Sequence, residues 1–116
     1  MSVARTGTAL TPEIYDRLAG IEGVFAVKES SGDLNLASYL VANHDLIVLA
    51  GDDSLAVPTM AVGGAGVISV ASNVVPAEMK LMTDAALMDD WVQARYIHRR
   101  LFPLFRALFL ETNPIP

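Results

Sequence analysis

A lysine at the end of an apolar, strand-like run is the first chemical clue in the sequence. The run is VFAVKESSG, residues 24–32, in which four apolar residues precede Lys28, a glutamate and a short polar turn. Burying a lysine is costly because its charged amine loses water. Lys28 could extend past the strand end to water, or pair with Glu29 or Asp52. It could also act as a neutral amine that attacks a carbonyl carbon and forms a Schiff base, and the residues alone leave these alternatives open.

Other polar residues could carry chemistry, but each has an ordinary structural explanation. Asp52 and Asp53 follow the second apolar run, and their two carboxylates could bind a metal or act as an acid/base pair. Carboxylates at such a position more commonly cap the next helix. His44 and His98 have no second ligand at metal spacing, so no metal site is expected. Arg5 precedes a predicted helix and is either a surface charge or a clamp for a carboxylate.

The elements that would position these residues alternate along the chain. Apolar runs cover residues 24–27, 46–50 and 67–71, and none alternates apolar with polar residues. Such runs are typical of parallel strands buried on both faces. Helix-start signals fall between and after the runs, at Thr11-Pro12, Asp33, Asp52–Ser54, Pro76 and Asp90. The order predicts an α/β fold with a parallel sheet, whose functional residues gather at the carboxyl ends of the strands.

Composition limits the classes of function. The chain has 116 residues, a net charge of −5 and no cysteine, and its basic residues form no dense patch. Nucleic-acid binding and thiolate zinc sites are therefore not expected. The absence of cysteine favours a location in the reducing cytoplasm. Neither a signal peptide nor an apolar run of membrane-spanning length is apparent. A hydrophobic content of 53% is high for one small domain, so we expect a partner to cover the surplus apolar surface.

Five stretches together resemble the C-terminal half of the dihydrodipicolinate synthase family. They are RTG (Arg5–Gly7) followed by LTPE, VKESSGDL (Val27–Leu34), LAGDDSLAVPTMAVGGAGVISV (Leu49–Val70), the adjoining ASNVVP, and ETNPIP (Glu111–Pro116). The wider superfamily of pyruvate-dependent class I aldolases includes N-acetylneuraminate lyase. The resemblance implies a partial (β/α)8 TIM barrel, comprising about strands six to eight with their helices. Residues 1–88 would form the half-barrel, and residues 89–116 a C-terminal helix and tail packed on it.

The resemblance also implies a reaction and its residues. Lys28 would form an imine with pyruvate, and the complete enzyme would condense pyruvate with aspartate semialdehyde in lysine biosynthesis. Arg5 would bind the carboxylate of the semialdehyde, while the backbone carbonyls of Gly51 and Ile68 would lie close to the lysine. The lysine imine would itself be the electron sink, so neither a metal nor an organic cofactor is implied.

The chain departs from the family in length. A full barrel requires about 200 residues or more. By the resemblance, the half that this chain lacks would hold a threonine near the pyruvate carboxylate and a tyrosine that relays protons, and the same half of a neighbouring subunit would supply a second relay tyrosine. Tyr15, Tyr39 and Tyr96 match none of these. We therefore expect either a complementary N-terminal half or self-association into an oligomer. The alternatives are a non-catalytic half-barrel, another pyruvate aldolase, or a flavodoxin-like module with a metal at Asp52 and Asp53. The sequence has no glycine-rich first loop, which argues against the flavodoxin-like module.

Overall fold

A computed structural model describes residues 8–111, in which strands and helices alternate. The elements are α1 (Pro12–Ala19), β1 (Ala26–Glu29), α2 (Leu34–Asn43), β2 (Ile47–Ala50), a 3₁₀ turn (Asp53–Leu55), α3 (Ala56–Ala61), β3 (Gly66–Val67), a second 3₁₀ turn (Ala71–Asn73), α4 (Pro76–Leu87) and α5 (Trp91–Ala107). No helix within this range is long and apolar enough to cross a membrane. The α/β prediction is confirmed.

The three strands form one parallel sheet in sequential order, β1-β2-β3. In its register Lys28 lies beside Leu49, and Leu49 lies beside Gly66. Helices α2 and α3 provide the two crossovers between neighbouring strands. Because the order does not reverse, the described sheet has no topological switch point, which is where open doubly wound folds bind their ligands.

The two faces of the sheet differ in exposure. Val48 and Ala50 are each 1% exposed, and Val48 packs with Tyr15 of α1 and Leu40 of α2. Side chains on the other face remain open: Ile47 is 48% exposed and Lys28 is also exposed. The sequence predicted strands buried on both faces, but the described helices cover only one.

Two strand boundaries differ from the predictions. The first strand was expected at residues 24–27, but β1 covers Ala26–Glu29, so Lys28 lies inside the strand. The ladder with β2 sets this position, and no local signal reveals it. The third strand was expected at residues 67–71, whereas β3 ends at Val67.

Helix starts agree better with the sequence. Thr11 is the N-cap of α1 with Pro12 at its first position, and Asp33 caps α2 by accepting a 2.8 Å hydrogen bond from the Asn35 N–H. Asp90 likewise accepts from the Gln93 N–H at 3.1 Å at the start of α5. The helical segment predicted to start at Asp52–Ser54 begins there as a 3₁₀ turn with Asp52 at its N-cap, although the Asp52 side chain makes no capping hydrogen bond. Leu55 is the N-cap of α3 itself.

Helices α3, α4 and α5 share one apolar core. Met79 and Met82 of α4 are 3% and 0% exposed, and they cluster with Ile97 and Phe105 of α5. Helix α5 continues through Pro103 to Ala107, although a proline removes one backbone hydrogen bond. The shared core holds α5 against the remainder of the described chain.

Candidate active site

Lys28 is the third residue of β1 and points to the open face of the sheet. Its side chain is exposed, and no described residue forms an ion pair with it. The neighbouring Glu29 is only 6% exposed and accepts a 2.8 Å hydrogen bond from the Ser31 N–H. Successive strand residues point to opposite faces, so Glu29 lies on the helical side and Lys28 on the other. Lys28 therefore does not form an ion pair with Glu29.

Sequence reasoning missed the burial of Glu29 beside Tyr15. Tyr15 is 3% exposed, and this burial, together with the charge of Glu29, raises the pKa of the Tyr15 hydroxyl. The two-residue period of a strand would have predicted the burial once Lys28 was placed on the open face. We found no signal for the proximity of Tyr15, because it depends on how α1 packs on β1.

Gly51 brings the end of β2 against the end of β1. Its N–H donates to the Glu29 carbonyl at 2.6 Å. A Cβ at this position would lie 1.7 Å from the Ser30 Oγ and 2.9 Å from the Glu29 carbonyl oxygen, so only glycine fits without rearrangement. Gly51 thus adjoins the residues that directly follow Lys28.

Ile68 extends the same edge of the sheet. Its N–H donates to the Ala50 carbonyl at 2.8 Å, and its side chain is 44% exposed. Lys28, Gly51 and Ile68 therefore occupy the carboxyl ends of three adjacent strands. Arg5 lies outside the described residues.

Asp52 is half-buried beside this edge. Burial raises the pKa of its carboxyl group; the nearby charges of Glu29 and Asp53 act in the same direction, and that of Lys28 opposes them. The carboxyl group thus experiences the charge of the amine without forming an ion pair with it.

Asp53 has a structural role that the sequence did not indicate. It is 2% exposed, and its Oδ2 accepts hydrogen bonds from the N–H groups of Val70 and Ala71 at 3.0 and 2.9 Å. Its Oδ1 is buried and has no partner among residues 8–111. The same part of the chain holds no group of three side chains suited to bind a metal ion.

The two histidines lie away from Lys28. The His44 Nε2 is 2.8 Å from the Asp16 Oδ1, and Asp16 also accepts from the Tyr39 hydroxyl at 2.9 Å, which joins α1 to α2. The His98 ring meets Phe102 and Phe105 of α5 in tilted orientations, with ring centroids 5.8 and 5.9 Å away. Neither histidine contributes to the sheet edge.

The arrangement can therefore supply one amine nucleophile on an uncovered surface. An imine-forming amine works best when water is excluded around it. A groove of about 580 Å³ begins at Asp52 and Asp53, next to the strand ends, and continues along α5. A second groove, of about 420 Å³, lies between α3 and α5, and Lys28 lines neither of them. The described residues thus position the amine but do not enclose it.

Comparison with known proteins identifies the family. Residues 2–116 match the model of the dihydrodipicolinate synthetase family. The chain belongs to this family. It is 51% identical over 115 residues to the 4-hydroxy-tetrahydrodipicolinate synthase of Thermomicrobium roseum, covering 97% of this chain and 38% of the relative. The synthase of the same name from Methanosarcina barkeri is 47% identical over 116 residues, with 97% and 40% covered.

A solved structure of the family has the same fold. The crystal structure of dihydrodipicolinate synthase from Aquifex aeolicus superposes with a TM-score of 0.94 at 44% identity, covering 98% of this chain and 40% of that one. The chain thus spans about 40% of the length of the family members it matches.

Proposed function

We propose that the chain is the C-terminal part of a Schiff-base lyase that condenses pyruvate with aspartate semialdehyde in lysine biosynthesis in the cytoplasm. One observation carries the proposal. In a member of the dihydrodipicolinate synthetase family, Lys28 projects from the carboxyl end of a parallel strand onto the sheet face that the described helices leave open. An amine there can meet a substrate once the rest of the fold encloses that face.

In this proposal the three strands are strands six to eight of a (β/α)8 barrel. Sequential parallel order, and helices on one face only, are the features of a barrel segment. The open face would be the barrel interior, and the missing strands would cover it. Residues 1–88 would form the half-barrel, and residues 89–116 a C-terminal helix and tail on the same domain.

The proposed mechanism uses the lysine as nucleophile and electron sink. The unprotonated Lys28 amine adds to the keto carbon of pyruvate, and loss of water gives an iminium ion. Loss of a proton from the methyl carbon, to groups outside this chain, gives an enamine. The enamine carbon attacks the aldehyde carbon of the semialdehyde, whose carboxylate Arg5 would bind. Ring closure by the substrate amine then displaces Lys28, so no metal or organic cofactor takes part.

Gly51 and Ile68 would line the pyruvate site through their backbone carbonyls. Their amide N–H groups are occupied by the Glu29 and Ala50 carbonyls, at 2.6 and 2.8 Å. These bonds hold the preceding peptide planes, Ala50–Gly51 and Val67–Ile68, and so fix where the backbone of Gly51 and Ile68 lies at the strand ends. The two carbonyls would extend toward the lysine from that fixed backbone. A proton relay from a complementary N-terminal half, or from another subunit, would complete the site.

Trapping with borohydride tests the proposal. The purified chain is incubated with pyruvate, reduced with borohydride and weighed intact by mass spectrometry, beside the variants Lys28→Ala and Lys80→Ala. We expect one pyruvyl adduct, lost in Lys28→Ala and kept in Lys80→Ala, because Lys80 is exposed on α4 and pairs with Asp84. An adduct that survives Lys28→Ala would refute the assignment of the nucleophile.

A second arm distinguishes an incomplete enzyme from a non-catalytic half-barrel. The chain matches 38% of the Thermomicrobium roseum synthase. The part of that synthase that it does not match is mixed with the chain, and condensation of pyruvate with aspartate semialdehyde is assayed. Activity that requires both pieces and Lys28 supports the enzyme. Without activity or adduct in the mixture, the non-catalytic alternative stands, and turnover with a different aldehyde would indicate another pyruvate aldolase.

A further inference from the structure

A groove of about 420 Å³ between α3 and α5 combines an apolar wall with positive charge. Val57, Pro58 and Ala61 of α3 form the apolar side. Trp91, at the first position of α5, lies across from them and is the only tryptophan of the chain. The volume suits a small organic molecule, and the lining offers it flat and aliphatic surfaces.

Two arginines supply the charge. Arg95 and Arg99 also line the groove, one and two helical turns beyond Trp91, so the three side chains form one row along α5. No carboxylate of the described residues pairs with either guanidinium group. In a chain of net charge −5, two uncompensated cations on one wall create a local preference for an anion.

His98 adds a polar atom without adding charge. It lines the same groove, and its buried Nδ1 has no hydrogen-bond partner among residues 8–111. Burial, and then the neighbouring Arg99, lower the pKa of the imidazole, so the ring is neutral at pH 7. The positive charge of the groove therefore comes from Arg95 and Arg99.

We propose that this groove binds a small molecule with a carboxylate on a flat apolar body. A guanidinium group donates two parallel hydrogen bonds to a carboxylate, and two such groups in a row favour an anion over its neutral amide. The apolar body would lie between Trp91 and the α3 wall. Lys28, Gly51 and Ile68 are not in the groove, so this site is separate from the proposed imine chemistry and does not depend on it.

The Trp91 indole N–H gives a local readout. In a ¹H–¹⁵N spectrum the chain has one indole signal, which we would follow during titration with 2-naphthoate and, separately, with neutral 2-naphthamide. We expect a saturable shift with 2-naphthoate, and binding at least fivefold weaker with the amide.

The variants Arg95→Gln and Arg99→Gln should each raise the Kd for 2-naphthoate about tenfold, since each removes a charge-assisted hydrogen-bond donor. Arg100→Gln is the matched control. Arg100 neighbours Arg99 on the same helix and carries the same charge, but it does not line the groove, and its guanidinium carbon lies 5.7 Å from the Tyr96 ring centroid. All three residues are exposed, so the variants should fold.

Three results would overturn the proposal. The first is the absence of a saturable shift of the Trp91 signal, which would also be the result if a second copy of the chain covered the groove. The second is equal binding of acid and amide. The third is an equal loss of affinity in Arg99→Gln and Arg100→Gln, which would indicate a general effect of net charge.

Discussion

Asp53 joins two strand ends that lie far apart in the sequence. Asp53 is buried directly after β2, and its Oδ2 accepts hydrogen bonds from the N–H groups of Val70 and Ala71. Those two N–H groups begin the second 3₁₀ turn, which follows Ile68 and Ser69. One carboxylate thus fixes the direction in which the chain leaves β3, beside the edge that carries Lys28.

Loss of this carboxylate should destabilise the chain. Asp53→Ala leaves the buried Ala71 N–H and the part-buried Val70 N–H without an acceptor. A buried unsatisfied group costs about 1–3 kcal/mol and a part-buried one less, so we expect the free energy of unfolding to fall by about 1–4 kcal/mol. Urea denaturation at one fixed protein concentration measures it. Asp52→Ala is the control, because the Asp52 carboxyl group accepts no hydrogen bond from the described residues. This variant should change stability by less than roughly 1 kcal/mol, as expected of a site without such bonds. Equal effects of the two variants would contradict the role of Asp53.

The turn between α3 and β3 shows how an element can depend on one glycine. Gly64 is buried, and its N–H donates to the Thr59 carbonyl at 2.9 Å. A Cβ on Gly64 would lie 2.8 Å from that carbonyl oxygen and 2.7 Å from the Thr59 Cγ2. Gly63 and Gly64 thus form a tight turn that leads from the helix into the strand.

We expect Gly64→Ala to lower the free energy of unfolding by about 1–3 kcal/mol, because the added methyl group forces the backbone of Thr59 to move. Gly20→Ala is the matched substitution. Gly20 has φ of −84°, and an added Cβ would meet the Arg17 carbonyl oxygen at an ordinary 3.6 Å. That variant should be neutral or stabilised by up to about 1 kcal/mol. Thermal and urea unfolding of both variants would decide, and a Gly64→Ala protein as stable as Gly20→Ala would refute the argument.

What the sequence predicted at this scale depended on local signals. Thr11-Pro12, Asp33 and Asp90 predicted helix starts, because capping involves residues within one turn. The bounds of β1 and the role of Asp53 depend on pairing with residues about 20 positions away, which no local pattern encodes. The apolar run alone singled out Lys28, and the family motifs favoured a Schiff-base role for it. Its open surroundings follow only from the sheet register, which joins distant parts of the chain.

At the scale of the whole molecule, the main feature is the sheet face that no described helix covers, because it exposes apolar side chains. Ile47 and Ile68 are 48% and 44% exposed there, beside the charged Lys28. Family members are about two and a half times as long, since this chain spans 40% of them. Because both outer strands of the described sheet also keep unpaired edges, another segment or another copy should bind to this surface.

We therefore expect the chain on its own to be a dimer or a larger oligomer at micromolar concentration. Ile47→Lys should weaken this association by placing a second charge on the open face, where burying it would be costly. Leu81→Lys is the control, because Leu81 is equally apolar and 59% exposed but lies on α4, outside the sheet. Sedimentation velocity over a concentration series gives the masses of all three proteins. If the parent chain is a monomer, the prediction of self-association is wrong. If both substitutions weaken association equally, the interface does not lie on the open face of the sheet.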